Sequence, residues 1–474
     1  RFIRNCRFDL QTKMLENYIY RPYEFFLNVE SGEIIRVIND DTTYSYDVLL
    51  TLLSLLSEMI VSLAVVFAVF YISPAITIGM AIIIVILIVI IISVVRPILY
   101  KITVEKQASG ADRTKWLLQS IQGIKELKVM QREQYFVDEF SKSGKVYIEA
   151  LSKTVTLSQA PAFLIEAIAM SSFMMALAVM IGVGTDLEAI VPVLSVVAMA
   201  SLRLLPAANK ISRFLGNLAS EEPYLDKTIE QMRAMNSFKK QAYRKTSAMK
   251  QVKESVALVN VHYHYPERES DVLAGASMKF SVGESVGIIG PSGSGKTTAI
   301  DILLGLLHPQ KGDVLVDGMS IQADYVGWIS QIAYIPQTIF ILDGTIRENV
   351  AFGVPPEEVD EDRVLSSLRD ASLMDFVDSL PEGTNTQLGE RGVRLSGGQR
   401  QRIGIARALY ADRDVLFFDE ATSSLDTETE TEIMNAINHL RGRKTLVIIA
   451  HRLSTIEDCD HLFRVEKGEI KQIR

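Results

Sequence analysis

The sequence predicts two bodies of different fold class: an α-helical membrane domain over residues 1–220 and an α/β domain over residues 255–474, joined by a linker at 221–254. Three observations carry this reading. Four long apolar stretches fall in the first half, with Lys and Arg confined to the segments that flank their pairs. From Val256 onward the apolar residues come in short runs, such as VALVNVHY and SVGIIG, separated by turns and helical stretches. Within that second half, GIIGPSGSGKTTAIDILLG sets a strand, a glycine-rich turn and a helix start in that order.

The stretch AIIIVILIVIIISVV, residues 81–95, reads locally as a buried strand. Together with residues 75–80, however, it forms an uncharged run of roughly twenty residues, about 30 Å as a helix and so one bilayer thickness. Spans are expected at about 48–72, 75–95, 157–183 and 189–210, the first two joined by SPA and the last two by TDLEA. No Lys or Arg occurs between Arg36 and Arg96 or between Lys153 and Arg203, whereas residues 96–153 carry eleven. The tight hairpins therefore face outside and the long segments face the cytoplasm. Four stretches punctuated in this way are not the core of a soluble α/β protein.

Composition agrees with one oily half and one polar half: mean hydropathy is positive although 22% of residues are charged. The formal net charge of −8, with no basic cluster interleaved with aromatics, argues against a nucleic-acid partner. Cys6 and Cys459 both fall on the expected cytoplasmic side, far apart in sequence, so no disulfide framework is implied.

In the second half the loop Gly290, Pro291, Ser292, Gly293, Ser294, Gly295 is followed by Lys296, Thr297 and Thr298. Glycines let backbone N–H groups approach phosphates, the helix N-terminus adds its dipole, Lys296 adds a point charge, and Thr297 holds Mg²⁺. VLFFDE (415–420) reads as a buried strand ending in Asp419, placed to bind Mg²⁺, and Glu420, placed to polarise the attacking water. LSGGQRQR (395–402) supplies Ser396, Gly397 and Gly398 as a second anion-binding turn at a helix start. Because the first loop already cradles one set of phosphates, the second turn serves another nucleotide, which implies two chains facing head to tail.

With these motifs in place, the chain resembles an ATP-binding-cassette exporter, a half-transporter with membrane and nucleotide domains fused. The resemblance implies that Tyr265 of HYHYP stacks on adenine, and that Gln337 of YIPQ senses the γ-phosphate and completes the Mg²⁺ set with Thr297 and Asp419. It implies that Leu395, Ser396, Gly397, Gly398 and Gln399 face the opposing ATP, that Asp426 of SSLD touches the opposing site, and that His451 of IIAHR contacts the γ-phosphate and Glu420. Catalysis would then rest on Glu420, His451 and Gln337, in a homodimer using ATP and Mg²⁺ at both sites. Coupling segments are expected at about 20–30 and 116–128, each carrying a short helix. Exporters of this kind have six spans per chain, against four read here, so the resemblance begins near the inner end of the second span and implies about two helices ahead of Arg1. It likewise implies a short helix beyond EKGEIKQIR.

The cargo is read from MASLRLLPAANKI, where Arg203 and Lys210 lie seven residues apart on one helix face. The plain alternative is positive-inside anchoring. The RLLPxxNK pattern resembles the matching segment of bacterial flippases for lipid-linked oligosaccharides, where basic residues meet a pyrophosphate; the basic residue common after the proline of the preceding span is here Ala162. Glu58 and Glu166 are the acids within the spans, and Glu166 is a further substrate-path candidate. The expected function is an ATP-driven exporter or flippase of an amphipathic substrate in the inner membrane, with the nucleotide domain in the cytoplasm. A multidrug or peptide exporter is the alternative. A soluble cassette ATPase conflicts with the spans, and a cargo-free membrane regulator conflicts with the intact catalytic set.

Overall fold

In the computed structural model the described residues are 2–474 apart from 73, 75–77, 79–81, 83–85, 87, 183–186, 243–250, 267, 269, 421–426 and 451–455. The chain divides into two compact units, Arg1–Gln241 and Ala242–Arg474.

The first unit is helical: α1 (Phe2–Ile19), α2 (Thr42–Ile72), α3 (Arg96–Gln122), α4 (Ile124–Met130), α5 (Glu133–Gly182) and α6 (Leu187–Ala242). The stretch Ser31–Ala68, which takes in most of α2, is the one among the described residues long and apolar enough to cross a membrane. Leu53, Ile60, Leu63 and Phe67 of α2 are exposed, as lipid-facing side chains are. The expected span 48–72 falls on α2, residues 157–182 of the third span fall on α5, that at 189–210 falls on α6, and residue 183 with much of 75–95 lies outside the described residues. Within the expected coupling segments lie a single turn, Tyr23–Phe26, and the start of seven-residue α4.

The helix α6 continues through residues 221–242, which read in sequence as linker. The Lys, Glu and Gln that suggest a linker are also good helix formers, and here they bind neighbouring helices. Arg96 of α3 forks onto Glu222, with its Nε donating at 2.9 Å. Ser45 of α2 donates to Thr228 at 2.8 Å, and Asn17 of α1 donates to the Gln231 carbonyl at 2.8 Å. Lys106 of α3 is buried with its ammonium over the rings of Tyr44 and Tyr224, 4.9 and 5.0 Å from their centroids. Burial lowers the Lys106 pKa and pushes Glu221 up to about 7. Closer to the membrane, Gly216 lets α6 approach α5, since a Cβ there would lie 2.7 Å from the Ser158 carbonyl oxygen.

The second unit holds two sheets. Strands β1 (Ser255–Tyr263), β2 (Leu273–Ser281), β4 (Lys311–Val316) and β5 (Met319–Ser320) form an antiparallel sheet in the order β2-β1-β4-β5. The second sheet has the order β10-β9-β3-β8-β7-β6 and is parallel except for the β9–β10 hairpin. Its strands are β3 (Ser285–Ile289), β6 (Ile332–Ile335), β7 (Val415–Asp419), β8 (Thr445–Ile449), β9 (His461–Glu466) and β10 (Glu469–Gln472).

Both faces of the middle of this sheet are covered, so its inner strands β7 and β8 are almost continuously apolar and buried along their whole length. Alternate residues point into different cores. Val415 and Phe417 of β7 join Val447 and Ile449 of β8 against α7 (Lys296–Leu303). Leu416, Phe418, Leu446 and Ile448 pack on the other side with α8 (Ile346–Val350), α9 (Glu361–Asp370), α10 (Met374–Asp378) and α11 (Gly397–Ala411).

A candidate ATP site at the strand tips

Register brings the sequence motifs together. Ile288 of β3 lies opposite Ile449 of β8, Asp419 of β7 opposite the same Ile449, and Ile335 of β6 opposite Phe418. The carboxyl ends of β3, β8, β7 and β6 are therefore level, and from them emerge Gly290, Ala450, Glu420 and Pro336–Gln337. Crevices at the carboxyl ends of parallel strands are where such sheets bind ligands.

The loop after β3 makes a tight cradle. A Cβ on Gly290 would sit 2.2 Å from the Val465 carbonyl oxygen, and Gly295 has φ +104 directly before α7. Lys296, almost fully buried, folds back to donate to the carbonyls of Gly290 and Pro291 at 3.0 Å each. The buried Ser294 hydroxyl has no hydrogen-bond partner, while Pro291, Ser292, Gly293 and Thr297 are exposed. Thr298 is buried, and its hydroxyl lies 3.1 Å from the phenol oxygen of Tyr265, whose ring meets Tyr263 edge-on.

On the acidic side, Asp419 is buried at the tip of β7 and accepts from the Tyr334 hydroxyl at 3.1 Å. Glu420 takes the left-handed conformation, φ +51, while its N–H donates to the Ile449 carbonyl at 3.1 Å. That turn swings its side chain off the strand direction, and its Oε2 accepts from Gln337 Nε2 at 2.8 Å. Burial, reinforced by the Asp419 charge, pushes Asp301 of α7 up to about 6. Thr297, Asp419 and Gln337 each offer an oxygen, the hard donor type that Mg²⁺ takes alongside phosphate and water.

The second turn is built separately. Ser396 caps α11, its Oγ accepting from the Gln399 N–H at 3.2 Å while the Gln399 side chain accepts from the Ser396 N–H at 2.8 Å. Leu395 anchors the turn in the core on the helical side of the sheet, and Gly398 is buried beside it, with Ser396 and Gly397 exposed. The Lys296 cradle rests on the opposite core.

Asp426 and His451 lie outside the described residues. In the first unit Glu166 is exposed on α5, and the Arg203 side chain is likewise outside the described residues. Lys210 is paired with Glu58, Nζ to Oε2 at 3.2 Å, which the sequence does not announce. Nor does it announce Tyr334 beside Asp419, because a tyrosine in a strand reads first as packing.

A family profile described as ABC transporter matches residues 273–423, and one described as ABC transporter transmembrane region matches residues 3–204. The chain belongs to the ABC transporters. Its two halves have the exporter architecture, with the membrane domain preceding the nucleotide-binding domain on one chain, and an ABC exporter with this membrane domain is a multi-pass membrane protein. Along almost its whole length it is similar to the leukotoxin translocation ATP-binding protein LktB of Mannheimia glucosida, 29% identical over 468 residues, 98% of this chain and 64% of the relative. Shorter matches give higher identities. An ATP-dependent lipid A-core flippase of Cupriavidus metallidurans is 41% identical over 45% of this chain and 36% of the relative. An ABC multidrug transporter, MDR5, of Trichophyton rubrum is 42% identical over 46% and 17%. This ABC transporter chain thus spans less than two thirds of the length of each. Among solved structures, a bacterial Atm1-family ABC exporter with ATP bound shares the fold, with a TM-score of 0.81 at 24% identity over all of this chain and 82% of the other.

Proposed function

We propose that the chain is the ATP-hydrolysing half of an exporter or flippase that moves an amphipathic substrate across the cytoplasmic membrane, with its nucleotide domain in the cytoplasm. The observation that carries the reading is the meeting, at level strand tips, of the Lys296 cradle, buried Asp419 and the Gln337–Glu420 contact. In this reading the loop from Gly290 to Thr298 binds the phosphates of ATP and Tyr265 stacks on adenine. Thr297, Asp419 and Gln337 would hold Mg²⁺, which offsets phosphate charge when bound. Glu420 orients and deprotonates the attacking water, with Gln337 fixing its carboxylate, and His451 meets the γ-phosphate. Leu395 to Gln399 and Asp426 serve the ATP of a second copy, head to tail, so that ATP holds two chains together and hydrolysis releases them.

For the cargo, names of relatives run from lipid A-core flippase to leukotoxin translocation and multidrug transport. The cations Arg203 and Lys210 favour an anionic lipid, of which a lipid-linked oligosaccharide pyrophosphate is one. Glu420→Gln is expected to abolish steady-state ATP hydrolysis while retaining ATP binding; undiminished turnover in the purified variant would remove Glu420 from its role. In liposomes, a fluorescent lipid-linked oligosaccharide should be flipped with ATP, and Arg203→Gln with Lys210→Gln should slow flipping more than either alone while basal hydrolysis persists. Transport of a hydrophobic dye or peptide instead would select the multidrug or peptide reading.

A further inference from the structure

The segment that follows Gln337 is fastened at its far end. Buried Asn349 of α8 pairs with Leu342 as a strand neighbour would: the Leu342 N–H donates to its Oδ1 at 2.8 Å, and its Nδ2 donates to the carbonyls of Leu342 and Thr345 at 3.1 and 2.9 Å. Arg407 of α11 closes the joint. Its Nε donates to the Asn349 carbonyl at 2.9 Å, its Nη2 to the Phe340 carbonyl at 3.0 Å, and its guanidinium lies 4.4 Å from the Phe352 ring centroid. Burial lowers Arg407 to about 10, and its described partners are amide oxygens and a ring face. One turn away on the same helix face, Gly404 gives room to Ile339, since a Cβ there would lie 2.4 Å from Ile339 Cδ1.

We propose that Arg407 is a positioning residue for hydrolysis: with Gly404 it seats residues 339–340 on α11, and so sets where the Gln337 amide meets Glu420. The inference rests on the proposed roles of Gln337 and Glu420. Gln337 itself is exposed and is held by its 2.8 Å contact to Glu420, so its position is inherited from the two ends of a short bridge. One end is Ile335 in β6 and the other is Phe340, with four residues between them; the three steps from Gln337 to Phe340 reach at most about 10 Å, too short a tether to absorb a shift at Phe340. Because Ser396 caps the same helix, the Gln337 segment and the second anion-binding turn move together. A lysine at 407 keeps the charge but lacks the fork that holds two carbonyls at once.

The test is a double-mutant cycle on the purified chain in lipid nanodiscs, following steady-state ATP hydrolysis and fluorescent-ATP binding. Arg407→Lys should lower kcat about tenfold to a hundredfold with ATP binding unchanged, as expected of a misplaced catalytic group. Combined with Gln337→Ala, it should add nothing to the loss that Gln337→Ala causes alone. Gly404→Ala, which pushes Ile339 off α11, should repeat the pattern if the Arg407 variant does not fold. Losses that multiply in the double variants, or weakened ATP binding in Arg407→Lys, would reduce Arg407 to a support of the fold and overturn the proposal. A wild-type chain that binds but does not hydrolyse ATP would instead fail the underlying reading.

Discussion

At Lys210 the first unit supplies an anion from within, Glu58, and this changes what a substrate has to do. The pair is partly exposed, Lys210 at 49% and Glu58 at 19%, so an anionic group can reach the ammonium and compete with the Glu58 carboxylate for it. If Lys210 receives an anionic headgroup, Glu58→Gln frees the ammonium and should lower the apparent KM for transport. Lys210→Gln should raise it. The liposome flipping assay measures both, and equal KM values in the two variants would leave Lys210 as an anchor at the inner end of its helix. The residues legible in the sequence are those whose chemistry demands a residue type at a fixed spacing, such as Lys296 after three glycines or Glu420 beside Asp419. Glu58 with Lys210, Tyr334 with Asp419 and Arg407 with Phe340 are separated by 152, 85 and 67 positions. Only a fold brings such pairs together.

Among the elements, α11 is the one whose N-terminus is expected to act on another chain. Mixed dimers with Ser396→Arg on one chain and Lys296→Ala on the other should retain one unaltered site, and hence part of the ATP turnover. Self-contained sites would leave none. The inner part of α6 yields a second prediction, this one about pH. Glu221 carries a buried Oε2 without a hydrogen-bond partner and faces Lys106 of α3 and Asp47 of α2, with burial holding its folded pKa near 7 against 4.5 in the unfolded chain. The folded state therefore binds the extra proton between these values, and stability falls as pH rises from about 4.5 through 7. Glu221→Gln should flatten that fall, matching the wild type at pH 5 and exceeding it at pH 8 in thermal unfolding. The same stretch shows why boundaries are harder to read than elements. Its composition fits a solvated linker and a helix equally, and the ties to Arg96, Ser45 and Asn17 decide for helix.

Across the whole chain, the division into an oily helical half and an α/β half is legible because lipid and water impose different periodicities on the sequence. The unbroken apolar runs VLFF and TLVII are equally plain as buried strands, yet they do not reveal that their odd and even residues belong to different cores. That division has a consequence on the timescale of exchange. A core whose two halves share only the faces of one sheet can open on one side while the other stays shut, giving two cooperative units of unequal free energy. Native-state hydrogen exchange at rising denaturant should show the amides of α8 to α11 converging on one opening energy, and those of α7, β3 and β1 on a higher one. A single common isotherm would mean that the cores open together. With two tiers, each opening of the weaker one frees residues 339–342 from α8 and α11 and takes Gln337 away from Glu420. The fraction of time the site is assembled would then be set by a local unfolding equilibrium that urea, temperature and ATP can all shift.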